Sequence, residues 1–304
     1  VSDANKRVVI EYVNEVNNAN FDAFDAFVDP AFVDHDPIPG QQPGIPGLKD
    51  AYRMFLAGFP DVHFIFEDVF GEGDLVAGRG VIHGTHRGTF MGVPATGRRV
   101  RWTGTRLFRV RDGKVTEGWL NLDLLGLLTQ LRAPEAPQLL PYVGPGDIDL
   151  LARPTPAHGG TPERNKVVFQ RMLMELWNQQ RLEVADELFT PGATSPTAPG
   201  LPPGPAGVKQ LARMFLGAFP DLRIEVEQVV AEGDRVFGRL IETGTHTGDL
   251  VTPAGVIRAT NKPVRFTEMA IVRLEDGKIA ESWYDVDMAG LLMQLGVAPT
   301  PGQG

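Results

Sequence analysis

Arg53-Met54-Phe55-Leu56, followed by Phe59-Pro60-Asp61, returns 160 residues later as Arg213-Met214-Phe215-Leu216 and Phe219-Pro220-Asp221. The same offset carries Glu72-Gly73-Asp74 onto Glu232-Gly233-Asp234 and Gly84-Thr85-His86 onto Gly244-Thr245-His246. After Leu250 the offset is 164: Asp112-Gly113-Lys114 becomes Asp276-Gly277-Lys278, Trp119 becomes Trp283, Asp123 becomes Asp287, and Gln130-Leu131 becomes Gln294-Leu295. So many islands in one order, at so long a period, mean a duplicated domain with four residues inserted in the second copy, not a solenoid of short units. The expected organisation is a domain at 1–133, a linker at 134–161 and a second domain at 162–304. Pro134, Pro137, Pro141, Pro145, Pro154 and Pro156 predict an extended, poorly helical linker, with Leu139, Leu140, Tyr142 and Val143 available to dock it on a domain.

Within a copy, Val8, Val9, Tyr12, Val13 and Val16 recur at helical spacing, as do Val168, Met172 and Leu176 in the second. Phe21, Phe24, Phe27 and Val28 suggest a second helix. A third is expected from Leu48 to Phe59, stopping before Pro60 and preceded by a Pro/Gly loop from Pro37 to Gly47. From Val62 the pattern turns β-rich, broken at Gly71 to Asp74, near Gly88 to Gly97 and at Asp112-Gly113, which predicts four strands. A short helix from Leu124 to Leu131 closes the copy. Helices first and an antiparallel sheet after is an α+β plan in which the helices cover one face of a curved sheet.

Asp-Gly between β-rich runs is a strong signal for a two-residue hairpin, because both central residues of a type I′ turn need positive φ. Counting outward from Arg111 and Lys114 then pairs Phe108 with Glu117, Arg106 with Trp119, Gly104 with Asn121 and Trp102 with Asp123 on one face. The same count in the second copy pairs Val272 with Glu281, Ala270 with Trp283, Glu268 with Asp285 and Phe266 with Asp287. Each face mixes aromatics with carboxylates, while Leu120 and Leu122, or Tyr284 and Val286, form a more apolar opposite side. The mixed face is either solvated or the lining of a pocket whose rings give area and whose few polar groups do chemistry.

A carboxylate between Trp102 and Trp119 would be desolvated toward the range useful for acid/base work, and Asp123 is that group. In the second copy Glu268, Asp285 and Asp287 would crowd, holding at least one carboxyl protonated. The competing reading makes Asp123 and Asp287 plain caps of the last helix, a role worth about 1 kcal/mol. His35 precedes the Pro/Gly loop, where it is either a catalytic group facing the pocket, orienting a substrate carbonyl or shuttling a proton, or a solvated loop histidine; Pro196 stands there in the second copy. His86 and His246 are shared by both copies and serve either the ligand or the backbone at a strand end. His83 and His86 point to opposite faces, so no metal is predicted.

Composition narrows the partners. With 42% hydrophobic and 22% charged residues the chain reads as an ordinary globular protein. A net charge of −9 disfavours nucleic acid and anionic lipid. The absence of cysteine excludes disulfides, thiol nucleophiles and thiolate-bound metal. No apolar run reaches the roughly 18 residues of a membrane helix, and Val1 opens no signal-peptide pattern, so a cytoplasmic location is expected. No phosphate-binding loop, dinucleotide fingerprint or serine elbow is present.

Gly84-Thr85-His86-Arg87-Gly88, Gly92-Val93-Pro94-Ala95-Thr96-Gly97-Arg98, Phe108-Arg109-Val110-Arg111-Asp112-Gly113-Lys114, and Glu117, Trp119 and Asp123 before a Leu-rich end resemble the SnoaL-like polyketide cyclase family. The resemblance spans nearly all of the first copy and most of the second. It implies two tandem NTF2-like cones, no cofactor, a small hydrophobic polyketide-like substrate of secondary metabolism, and lyase or isomerase-type chemistry. In such cyclases an Asp acts as acid and base in an intramolecular aldol closure; that Asp falls on Asp123 and Asp287, with His35 as a further pocket residue. The expected substrate-binding residues are Trp102, Arg106, Trp119, Asn121 and His86 in the first copy, and Phe266, Glu268, Trp283, Asp285 and His246 in the second. Similar domains serve as non-catalytic binders, isomerases or epoxide-opening hydrolases, which stand as alternatives. They also pair through their sheets, so the fusion predicts an intramolecular pseudo-dimer. The second copy departs from the family pattern: it lacks the histidine, replaces Val-Pro-Ala-Thr-Gly with Thr252 to Pro263, and carries Asp285 in place of Asn121.

Overall fold

The computed structural model describes residues 2–38, 40–132, 160–252 and 255–297. Two compact units carry residues 2–132 and 160–297 respectively. Most of the expected linker, including Leu139, Leu140, Tyr142 and Val143, lies outside the described residues.

In domain 1, α1 (Ser2–Asn17) buries Val9, Tyr12, Val13 and Val16 along one stripe. A 3₁₀ turn at Phe21–Ala23 leads into the short α2 (Phe24–Phe27), and Val28 then opens β1 (Val28–Asp34). The expected second helix therefore shrinks to one turn and a fifth strand appears. Pro30 cannot continue the helix, and an edge strand tolerates its missing N–H. Next comes α3 (Gly44–Gly58), which begins four residues before the expected Leu48 because Pro46 is compatible with a first helical turn. Then follow β2 (His63–Glu72), β3 (Leu75–Thr85), β4 (Arg99–Arg111), β5 (Lys114–Leu122) and α4 (Leu124–Arg132). The sheet order is β1-β5-β4-β3-β2, antiparallel except for the β1–β5 pair.

Domain 2 repeats the plan. Its first helix, α5 (Pro162–Arg171), passes into a π-helical segment at Met172–Asn178. After it come α6 (Ala185–Leu188), β6 (Phe189–Thr194), α7 (Pro205–Ala218), β7 (Arg223–Glu232) and β8 (Arg235–Thr245). The inserted residues build a separate hairpin of β9 (Leu250–Thr252) and β10 (Gly255–Ile257). The chain then forms β11 (Pro263–Glu275), β12 (Lys278–Val286) and α8 (Met288–Leu295), in a sheet of order β6-β12-β11-β8-β7.

Asp112 and Gly113 both have positive φ, 50° and 74°, as the two-residue turn requires. The register beyond it differs from the simple count. Arg111 pairs with Lys114 and Val110 with Val115, but Arg109 then pairs with Glu117, leaving Thr116 as a bulge. Ala280 is the corresponding extra residue between the Leu274–Ile279 and Arg273–Glu281 pairs. One added residue exchanges the faces of everything beyond it. Trp119 lies opposite Leu107, Asn121 opposite Thr105, and Arg106 opposite Leu120; in domain 2 Trp283 lies opposite Ile271 and Asp285 opposite Met269. The expected mixed face is thus split. Trp102, Gly104, Arg106 and Phe108 share the helix-covered concave face with Leu120 and Leu122, while Trp119, Asn121 and Glu117 lie on the convex side.

The repeated motifs are the joints of this frame. The Asp61 carboxylate accepts from the Thr85 backbone N–H at 2.6 Å and hydroxyl at 2.7 Å, and Asp221 grips Thr245 in the same way. His86 is fully buried, with its ring 5.1 Å from Phe59 and its Nδ1 within 3.0 Å of the Thr96 hydroxyl, and the Thr96 N–H donates to that same nitrogen. His246 makes the same contacts with Thr260 and Phe219. Gly88 lets the strand end press onto α3: a Cβ there would stand 1.9 Å from the Ala57 carbonyl oxygen, and one at Gly248 would stand 1.9 Å from that of Gly217. We expect Gly88→Ala to destabilise domain 1 by about 3 kcal/mol, because a backbone atom must move. Chemical denaturation of the variant, compared with wild type, measures it.

Candidate active site on the concave face

The concave face of domain 1 encloses a narrow cavity of about 30 Å³, room for one or two waters. Val13 and Val16 from α1, Tyr52 from α3, Phe64 from β2, Gly80 and Ile82 from β3, Gly104 and Arg106 from β4, and Leu122 from β5 line it. Its polar centre is Arg106. The guanidinium donates from Nη1 to the Tyr52 hydroxyl at 2.7 Å, and that oxygen is 2.9 Å from the Tyr12 hydroxyl. The rings of Tyr52 and Phe64 lie 5.6 Å from the guanidinium carbon and that of Phe108 lies 6.0 Å away, a cation–π cage. Burial works against the charge, but Tyr52, Tyr12 and the more distant Asp34 outweigh it, so Arg106 stays protonated. Burial pushes the Tyr12 hydroxyl well above its ordinary value.

Asp123 directly follows Leu122 of the cavity wall. Its Oδ1 accepts from the Gly126 N–H at 2.8 Å, so it does cap α4. Its Oδ2 has no protein partner among the described residues and leans over Gly126, where a Cβ would stand 2.0 Å from it. Burial raises the Asp123 carboxyl above the usual carboxylate range, and the Gly126 N–H offsets only part of that. Capping and desolvation thus coexist in one side chain. Asp287 accepts from the Gly290 N–H at 2.8 Å and caps α8.

The other expected residues are dispersed. Trp102 is 2% exposed and packs in the apolar wall between Phe55 and Phe59, with its indole N–H lacking a partner. Trp119 is on the opposite side of the sheet, stacked on His35 at 4.3 Å with the rings 2° from parallel. His35 is held there by Glu117 at 2.8 Å, which also binds Arg109. The structure therefore does not bring His35, Trp119 or Asn121 to the face that carries Arg106. His86 and His246 are the loop joints described above.

Domain 2 carries a different set on its concave face. Glu268 stands where Gly104 stands in domain 1, and Glu242 where Ile82 does. Glu268 pairs with Leu240 and Glu242 with Phe266, so the two carboxyls are diagonal neighbours on adjacent strands. Asp285 is on the other face and Asp287 is the helix cap, so the crowding expected among Glu268, Asp285 and Asp287 is replaced by the Glu242–Glu268 pair. Burial, then the charge of Glu268 and a hydrogen bond with it, hold Glu242 well above its ordinary value. Burial pushes Glu268 up to about 7; the bond with Glu242 works against this and the charge of Asp285 adds to it. Tyr284, also raised by burial, shares the face. Sequence reading missed Tyr12, Tyr52, Glu242 and Tyr284. Aligning the copies at the two offsets marks them, because Met172, Ala212, Ile82 and Leu120 are their counterparts.

A folded state that keeps protons on buried carboxyls is most stable where the unfolded chain keeps them too. For Glu268 this contribution is complete below pH 4.5 and is lost as pH rises through about 7. We expect domain 2 to lose on the order of 3 kcal/mol across that window, and Glu242→Gln with Glu268→Gln to remove most of the slope. Urea denaturation at a series of pH values measures both.

Two cone-shaped α+β domains, each with helices closing a curved sheet over its concave face, define the NTF2-like class. The family model described as SnoaL-like polyketide cyclase matches residues 6–131 and 167–295, and the chain belongs to that family. Among solved structures, the chain is similar to IdmH from Streptomyces antibioticus at 31% identity, over 42% of this chain and 97% of that one, with a TM-score of 0.39. A SnoaL-like polyketide cyclase from Agrobacterium tumefaciens is 26% identical over 41% of this chain and 94% of its own, with a TM-score of 0.36. TsrD from Streptomyces laurentii is 23% identical over 45% and 98%, with a TM-score of 0.42. No curated protein matches. No helix among the described residues is long and apolar enough to cross a membrane.

Proposed function

We propose that domain 1 is a cofactor-independent cyclase acting on a polyketide-like substrate, with Asp123 as its acid/base. The supporting observation is the Asp123 carboxyl: desolvated, anchored through Oδ1 by the cap bond, with Oδ2 lacking a protein partner among the described residues, and next in the chain to Leu122 of the cavity wall. The carboxylate takes an acidic α-proton from a carbon flanked by carbonyls. The resulting enolate carbon attacks a second carbonyl of the same molecule, forming the ring C–C bond and an alkoxide. Proton return from Asp123 to the alkoxide leaves the aldol product and regenerates the carboxylate. Atoms balance without a redox partner. The raised proton affinity of Asp123 favours both transfers, because a base too acidic holds the proton poorly.

Trapping a substrate whose two carbonyls lie a ring apart requires the cavity to widen, since one or two waters fill it as it stands. The apolar walls from α1, α3 and β2 select a hydrophobic chain. Domain 2, with a carboxyl pair where domain 1 has Ile82 and Gly104, supports a different reaction or a binding role, and Asp287 there remains a proposed acid/base.

Asp123→Asn keeps the cap acceptor and removes the base, so the fold should persist while turnover of a linear polyketide-like substrate falls by about 10²–10⁴-fold. In the wild type, kcat/KM should rise with pH through a value above the ordinary carboxylate range. Full turnover in both Asp123→Asn and Asp287→Asn, followed by product chromatography, would show that neither Asp performs the step.

A further inference from the structure

Arg106 is a cation inside an apolar cage, with the Asp34 carboxylate acting on it only from a distance. No carboxylate of the described residues lies within salt-bridge distance, and its polar contact there is the Tyr52 hydroxyl at 2.7 Å. Held against Tyr52, Phe64 and Phe108, the guanidinium gives up part of its hydration, a cost that aromatic faces and one phenol repay only in part. Other arginines of the same sheet are paired: Arg79 with Glu67, and Arg109 with Asp74 and Glu117. Arg106 faces the cavity and they do not.

Tyr52 extends the argument. Its oxygen can accept from both Arg106 and Tyr12, which leaves its own O–H proton to be donated into the cavity. A guanidinium and a phenol converging on one space match two lone pairs of a delocalised oxyanion. Domain 2 loses the set together. Arg106, Tyr52, Tyr12 and Phe108 are replaced by Ala270, Ala212, Met172 and Val272, so the four behave as one device and not as general packing.

We propose that the concave cavity of domain 1 is an oxyanion site, in which Arg106 and the Tyr52 hydroxyl hold an anionic oxygen of the substrate, either a carboxylate or the enolate of a 1,3-dicarbonyl. This rests on the cyclase reading and names its substrate class: a polyketide-like molecule that carries negative charge when bound. If the oxygen is that of the enolate, Arg106 stabilises the charge that Asp123 creates. Domain 2 places Ala270 at the Arg106 position and a carboxyl pair on the same face, so it lacks this arrangement.

The test uses the full chain labelled with ¹⁵N and two probes of equal shape, 1-naphthoate and neutral 1-naphthamide. Titration is followed at the arginine Nε–H signals. Naphthoate should shift the Arg106 signal and bind at least about tenfold more tightly than naphthamide. Arg106→Gln should abolish that preference, Tyr52→Phe should reduce it, and Arg106→Lys should retain part of it. Circular dichroism establishes that each variant is folded, and the Tyr52→Phe and Arg106→Lys results stand if Arg106→Gln fails to fold. Adding the enolate-forming 2-acetyl-1-tetralone and its carboxylate analogue separates the two sources of the anion. Equal affinity for the two naphthyl probes, no saturable binding of naphthoate, or a preference that survives Arg106→Gln would overturn the proposal. Asp123→Asn distinguishes the two readings: it should bind naphthoate as wild type does while losing turnover. Anion preference with undiminished Asp123→Asn turnover would sink the cyclase mechanism and leave the oxyanion site standing.

Discussion

One unpaired residue in the last strand of each sheet decides what the cavity contains. Thr116 in β5 and Ala280 in β12 are bulges, and in a structure of period two such an insertion exchanges inner and outer side chains from that point to the strand end. Leu120 and Leu122 thereby enter the cone of domain 1, and Tyr284 and Val286 that of domain 2. Trp119 and Trp283 leave it. The strand then ends on Asp123 or Asp287, which starts a helix and closes the cone, so the same carboxylate is both hinge pin and neighbour of the cavity wall.

The frame and its contents are built from separate residues. Asp61 on Thr85, His86 on Thr96 and the close approach at Gly88 tie the end of β3 to the C-terminal end of α3 and to the loop before β4, and domain 2 reproduces each of these joints. These contacts need fixed side chains at fixed backbone positions, which accounts for their survival in both copies. The concave side chains meet no such demand. There the side chains differ: a guanidinium with two phenols in one, and a hydrogen-bonded pair of carboxyls with a phenol in the other. The two concave faces thus share a frame and differ in the polar groups they carry.

The histidines illustrate how a residue type can mislead. His86 and His246 are held by a backbone N–H at Nδ1, which places the proton on Nε2, and burial lowers their proton affinity; both observations describe a neutral structural joint. His35 has a carboxylate and an indole to lean on, but on the convex side. The polar side chains of the concave faces are Arg106, Tyr12 and Tyr52 in domain 1 and Glu242, Glu268 and Tyr284 in domain 2.

The duplication, the α+β plan, the Asp-Gly hairpins and the terminal helix with its capping Asp are legible in the order of residues alone, because each depends on neighbours a few residues apart or on self-similarity along the chain. That order also held Arg106 and Glu268 as candidates. β1 escaped it, since an edge strand containing Pro30 has no period of its own and exists only by pairing with β5. The side of the sheet each aromatic takes emerges in the folded chain, because a bulge leaves no mark on an alternating pattern. Folding alone brought Tyr12, Tyr52 and Arg106 together from three elements, and Glu242 against Glu268 across two strands. Those meetings follow from the curvature of the sheet and the helices laid across it, which no local stretch of sequence contains.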